Sequence, residues 1–104
     1  MECSKSDWKL FRSRIGEWQE NYMERLVKEY IQLLNSPENA SDKFWKLEER
    51  IKKDRKHPGV ILEISKSNML YDIVALINYG VITEKDLDDF SDDLKERVGF
   101  FLKR

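Results

Sequence analysis

The chain has 104 residues, enough for one ordinary domain with its own core. Charged residues make up 38 % of it and hydrophobic residues 40 %, and the formal net charge is −1. Near-neutral charge provides no general attraction to nucleic acid or to an anionic membrane. Three Trp, four Tyr and five Phe exceed what a disordered chain carries, and the scarcity of Gly (4) and Pro (2) favours a few long helices. We therefore predict a single helical domain over residues 1–104.

The first predicted helix starts at Ser6, a suitable N-cap with Asp7 in its first turn, and ends near Asn35. One apolar stripe at helical spacing follows its whole length. The stripe consists of Trp8, Phe11, Ile15, Trp18, Tyr22, Leu26 and Leu33. From Met23 onward a second apolar row widens it. This row consists of Val27, Tyr30 and Leu34. The N-terminal half of the helix thus needs one packing partner, and the C-terminal half is predicted to lie between two.

The second predicted helix starts at the N-cap candidate Ser41 and carries an inward stripe of Phe44, Leu47 and Ile51. Trp45 lies more than about 90° around the helix from this stripe, at 100° per residue. Such an aromatic side chain is either covered by another helix or exposed as an interface anchor. We expect Trp45 to be covered and to belong to the core.

The segment from Pro58 to Ile64 is ambiguous. Residues 60–64 are almost entirely apolar, which suits a short strand as well as a helix. No other part of the sequence offers a strand partner, and Pro58 is acceptable at a first helical position. The segment is therefore interpreted as helical.

The C-terminal third has clearer boundaries. Apolar residues cover nearly half the circumference of a helix from Met69 to Ile77, which predicts the most buried helix, and Gly80 suits its C-terminal end. A capping-box pattern at residues 83–86 opens a one-turn helix through Leu87. Ser91 caps a last helix, whose inward residues are predicted to be Leu94, Val98, Phe101 and Leu102. The predicted fold is an all-α, small four- to five-helix bundle, orthogonal or up-down.

The sequence contains no recognisable catalytic or cofactor pattern. His57, the only histidine, has no His or Cys neighbour to complete a metal site, so we expect it at a helix end or on the surface. Cys3 is the only cysteine and is predicted to lie in a frayed tail. The acidic residues between 84 and 96 do not fit a calcium loop, because Ser91 stands where that loop requires Gly. We predict neither enzymatic activity nor a cofactor.

Charge is distributed unevenly, with basic residues concentrated in 42–56 and acidic residues toward the C-terminus. Either region could contact a partner. The candidate partner-binding residues are Trp45, Lys46, Arg50, Lys53, Asp89 and Asp93. The basic segment is interspersed with acidic residues, whereas nucleic-acid helices usually show a purer basic stripe. The leading hypothesis is an interaction protein that binds another protein or itself as a homodimer. The alternative is a nucleic-acid-associated accessory factor that uses the helix 42–56.

The sequence also suggests a compartment. Its first seven residues contain no apolar segment typical of a signal peptide, and no stretch approaches the ~18 apolar residues of a membrane span. A single cysteine suits a reducing environment. We expect a cytoplasmic protein with no membrane partner.

Four segments together resemble a family of small uncharacterised helical proteins from Gram-positive, often gut-dwelling, bacteria. They are WQENYMERL (18–26), ASDKFWKLE (40–48), KHPGV (56–60) and GVIT (80–83). The resemblance spans nearly the whole chain and implies a small helical fold. Some similar sequences carry a multidrug-transporter label, which the lack of an apolar span argues against. No biochemical motif accompanies the resemblance, so it assigns no functional residue.

Overall fold

The structure, a computed structural model, describes residues 3–102. It contains four α-helices and one turn of 3₁₀ helix, which confirms the predicted all-α class. The α-helices are α1 (Lys5–Leu34), α2 (Ala40–Asp54), α3 (Met69–Asn78) and α4 (Asp92–Leu102), and the 3₁₀ turn is Glu84–Leu87. The molecule measures 52 × 24 × 19 Å, because α1 extends well beyond the core.

The core lies at one end of the molecule, around the N-terminal half of α1. This half contributes Phe11, Ile15 and Trp18, which pack against α3, the 3₁₀ turn and α4. As predicted, α3 is the most buried helix. Four of its ten residues are at most 2 % exposed: Met69, Leu70, Ile73 and Leu76. We call this end of the molecule the core end.

The C-terminal half of α1 and the antiparallel α2 form a helical hairpin that projects from the core end. Tyr30 of α1 donates a hydrogen bond to Asp54 near the base of the hairpin. No residue of α2, which is described throughout, is buried. In the structure, α2 covers one row of apolar residues on the C-terminal half of α1, and residues 3–102 leave the second row open. The prediction that this half lies between two packing partners is therefore wrong.

Residues 55–68 connect the hairpin to α3 without forming the predicted helix over 60–64. Exposure alternates over residues 61–64, with Leu62 and Ile64 packed against the core and Ile61 63 % exposed. This alternation is the pattern of an extended chain. The helix prediction failed because four apolar residues within five positions fit either periodicity.

The helix ends follow from specific capping residues. Ser4, not Ser6, caps α1, and its hydroxyl accepts a hydrogen bond from the Asp7 N–H at 3.1 Å. Asn39, not Ser41, caps α2 through the Asp42 N–H at 3.2 Å. The capping box at residues 83–86 is confirmed, and so is Gly80 as the C′ residue that follows the α3 C-cap Tyr79, with a φ of +77° that favours glycine.

Asp7 joins the two ends of the described chain. It is 5 % exposed, and its carboxylate accepts hydrogen bonds from the Ser91 N–H at 3.0 Å and the Ser91 hydroxyl at 2.6 Å. The Ser91 hydroxyl in turn accepts from the Leu94 N–H at 3.2 Å, which confirms Ser91 as the cap of α4. Cys3 packs against the same core, and burial raises the pKa of its thiol, so the predicted frayed position of Cys3 is wrong.

Candidate functional site: the apolar face of the hairpin

One face of the hairpin carries an unusual number of exposed apolar side chains. Seven large ones are 40 to 63 % exposed, and we refer to them as the hairpin face. They are Met23, Val27, Ile31 and Leu34 of α1 and Phe44, Trp45 and Ile51 of α2. An ordinary surface scatters such residues singly, whereas a contiguous patch marks an interaction site.

The two helices present these residues on one continuous surface. Ile51 lies between two adjoining apolar depressions. The first is lined mainly by α2, with Phe44 and Leu47, and the second contains Met23 and Val27 of α1. The spacing of the α1 residues, four, four and three, keeps them on one side of that helix. The face is therefore shared by both helices of the hairpin.

Trp45 lies at the edge of this face rather than in the core. It is 63 % exposed and makes an edge-to-face contact with Phe44, with 4.9 Å between the ring centroids. The expectation that another helix covers Trp45 is wrong. The physical reason is that α2 packs against α1 on one side, so Trp45 at the outer edge of the face meets no second layer within residues 3–102.

Polar contacts join the two helices of the hairpin. The Arg50 guanidinium contacts the Glu29 carboxylate at 2.9 Å and the Asp54 carboxylate at 3.4 Å. Arg50 also lies over the Tyr30 ring, 5.5 Å from its centroid. Burial and the hydrogen bond to Asp54 raise the pKa of Tyr30 to about 12. These contacts fix how α2 lies on α1, and with it the geometry of the hairpin face.

The predicted basic residues therefore have mixed surroundings. Lys46, Arg50 and Lys53 line one shallow groove, but the groove also contains Glu49. Lys46 forms an ion pair with Glu38, and Arg50 is held by the carboxylates described above. Much of the positive charge of 42–56 is thus compensated locally, as expected for a solvated helix face.

The predicted acidic residues lie at the core end, away from the hairpin face. Asp89 pairs with Arg14 at 2.7 Å, and Asp93 pairs with Arg97 one helical turn further along α4 at 3.3 Å. The structure therefore groups Trp45, Lys46, Arg50 and Lys53 on α2, and does not bring Asp89 or Asp93 to them. Within residues 3–102, no three His, Cys, Asp or Glu side chains converge as a metal site would require.

His57 lies at the junction of the hairpin and the core end. Its ring stacks on Tyr22 with 4.4 Å between centroids and an interplanar angle of 7°, and it meets the Tyr79 ring edge-on at 5.2 Å. The Gly59 N–H donates to His57 Nδ1 at 3.0 Å, and burial lowers the pKa of His57. His57 lies just after the end of α2, which confirms the expected helix-end position, but it is half-buried in a packed joint rather than on the open surface.

The sequence did not predict that the α1 residues of the hairpin face are exposed. Val27 and Leu34 belong to the predicted second row, which begins after Met23 and was expected to be packed, and Ile31 belongs to neither predicted row. The signal was present in the widening of the apolar stripe after Met23. That widening predicted a second packing partner, which residues 3–102 do not supply.

Comparisons with protein families, curated proteins and solved structures find no match to this chain. None of the helices within residues 3–102 has the length and apolar character needed to cross a membrane.

Proposed function

We propose that this chain is a non-enzymatic, cytoplasmic protein-interaction module that binds its partner through the hairpin face. The observation that carries the proposal is the exposure of seven large apolar side chains on one side of a two-helix hairpin. A helical layer is stable when its apolar side is covered by a second layer. The two-helix hairpin supplies only one layer, so a second layer from a partner would complete it.

Two further observations support a protein partner. Aromatic residues are enriched among the residues that dominate binding energy at protein interfaces, and Phe44 and Trp45 form an exposed aromatic pair at the edge of the face. The face itself is apolar, which suits another protein surface better than a phosphate backbone. The single cysteine, Cys3, is consistent with the reducing cytoplasm.

Site-specific photocrosslinking tests this proposal. Phe44 and Phe100 are replaced, in separate variants, by the photoreactive p-benzoylphenylalanine. The two positions are matched, since Phe44 is 63 % and Phe100 62 % exposed, and each ring makes an edge-to-face contact with its neighbour. After irradiation of cells, position 44 should give a discrete, nuclease-resistant protein adduct that position 100 does not give. Absence of an adduct at position 44, or the same adducts at both positions, contradicts the proposal.

A further inference from the structure

We infer that the occupant of the hairpin face is a second copy of this chain, with α1 of each hairpin lying on α2 of the other. The two hairpins then close a four-helix bundle. This inference rests on the proposed function, because it names the partner of the same surface. It is supported by the area of the face, by its helical spacing and by the charges on its two edges.

The area of the hairpin face matches what a stable dimer requires. An aromatic side chain has a surface of roughly 150–250 Å², and we apply the lower part of this scale to the aliphatic side chains of the face. With exposed fractions of 40 to 63 %, the seven side chains present about 700 Å² of apolar surface on this scale. The largest apolar patch of a typical monomer covers about 300–600 Å², whereas each partner in a standard interface buries about 800 Å². One copy of the face is therefore close to sufficient for one side of a dimer.

The spacing of the apolar residues is the spacing found in helical bundles. Met23, Val27 and Leu34 follow one another at four and seven residues, and Phe44 and Ile51 of α2 are seven residues apart. Separations of three, four and seven residues form the seams of four-helix bundles, in which two helix pairs pack nearly aligned. A two-fold axis uses the same patch on both copies, so one face supplies both sides of the interface.

The charges on the two edges of the face are complementary. Glu20 and Glu24 precede Val27 and Ile31 in one row of α1, which places acidic groups along that edge near the base of the hairpin. Lys52 lines the α2 edge beside Ile51, and Arg55 lines both depressions next to Ile51, also near the base. A two-fold axis along the hairpin opposes the acidic edge of each copy to the basic edge of the other.

Two of these edge charges are available for such a contact. Within residues 3–102, neither Glu24 nor Arg55 takes part in an ion pair. Opposite charges at the rim of an interface fix its orientation more than its strength. The Glu24–Arg55 contacts, formed twice in a symmetric dimer, would therefore select the arrangement in which α1 lies on α2.

Sedimentation of the purified full chain tests the inference. We expect a reversible monomer–dimer equilibrium with a Kd between about 1 µM and about 1 mM. Phe44→Gln, and equally Ile31→Gln, should raise this Kd at least about tenfold, which corresponds to the loss of one interface anchor. The matched control Phe100→Gln should leave it unchanged. Far-UV circular dichroism checks that each variant is folded, as expected for substitutions at exposed positions.

A charge-reversal pair tests the arrangement. Arg55→Glu should weaken the dimer, and adding Glu24→Arg should restore it. The inference is overturned if the purified chain stays monomeric up to about 1 mM, if Phe100→Gln weakens the dimer as much as Phe44→Gln, or if the double reversal fails to restore association. A monomeric chain whose position 44 crosslinks to a different protein would refute self-association while supporting the proposed function. A chain with neither behaviour would refute both.

Discussion

Replacing Gly59 by alanine places a methyl group where the Tyr22 ring already stands. A Cβ at position 59 would lie 2.3, 2.6 and 2.9 Å from three ring carbons of Tyr22, whereas carbon atoms prefer separations of about 3.5–4.0 Å. The ring has little freedom to retreat. It stacks on His57 at 4.4 Å, and the Arg25 guanidinium lies 4.9 Å from the ring centroid. The substitution therefore forces the joint between the hairpin and the core end apart.

The size of the effect follows from the cost of overpacking. Extra methylene groups in a packed site cost about 1–3 kcal/mol, and for a domain of this size each kcal/mol lowers the Tm by roughly 4–8 °C. We expect Gly59→Ala to lower the Tm by roughly 5–20 °C. Thermal unfolding followed by far-UV circular dichroism measures it, with all variants at one protein concentration because association shifts the Tm.

Gly16→Ala is the matched control, because it is the same substitution at a site with space for it. A Cβ at position 16 meets no atom within 4 Å, and the residue lies inside α1. Alanine is favoured over glycine in a helix by about 1 kcal/mol, so this variant should melt above the wild type. A Gly59→Ala variant that melts at or above the wild type would refute the clash at Tyr22.

Three further predictions concern burial and ionisation. In urea unfolding of dilute, monomeric protein, Phe11→Ala should lower the free energy of unfolding by about 3–5 kcal/mol. Trp45→Ala should lower it by less than about 1 kcal/mol, because the Trp45 side chain is 63 % exposed. Equal losses for the two variants would show that Trp45 belongs to the core. Burial lowers the pKa of His57, so the folded state resists protonation, and the stability that neutral His57 contributes should be lost as the pH falls below about 6.5. A His57→Gln variant should lack that part of the pH dependence, and a variant with the wild-type profile would show that another group causes it. Tyr30 has its pKa raised to about 12, so its contribution should be present below pH ~10 and lost as the pH rises through the folded pKa. Ultraviolet titration should show a tyrosinate that forms near pH ~12 and that Tyr30→Phe removes, and a titration curve left unchanged by Tyr30→Phe at this late step would count against the part-buried hydrogen bond to Asp54.

The caps show how far local sequence determines the helix boundaries. Ser91, Gly80 and the capping box at 83–86 were predicted correctly, because each is the best capping residue in its neighbourhood. The start of α1 was placed two residues late, since Ser4 and Ser6 are chemically equivalent caps. What distinguishes them is the buried contact of Asp7 with Ser91, which lies 84 residues away and leaves no local trace.

The candidate site was predictable only in part. Helical spacing predicted that Val27 and Leu34 lie in an apolar row that must pack against another surface. It also predicted that Trp45 lies away from the apolar stripe of its own helix. The spacing of apolar residues gives the width of an apolar surface, but it does not show which element or molecule packs against that surface. Whether another helix of the same chain or another molecule supplies that cover depends on how many layers the fold builds around α1. That number is a property of the tertiary arrangement.

The packing of the start of α1 against residues 69–102 also sets an order of events during synthesis. The hairpin closes through contacts between neighbouring segments, such as Tyr30 with Asp54, and such local contacts form quickly. Phe11 and Trp18 cannot be covered until α3 and α4 have left the ribosome. During that interval the nascent chain carries an open apolar stripe along the N-terminal half of α1, and chaperones that bind exposed apolar segments should recognise it there. The final closure joins the Asp7 carboxylate to Ser91 after most of the chain has been translated.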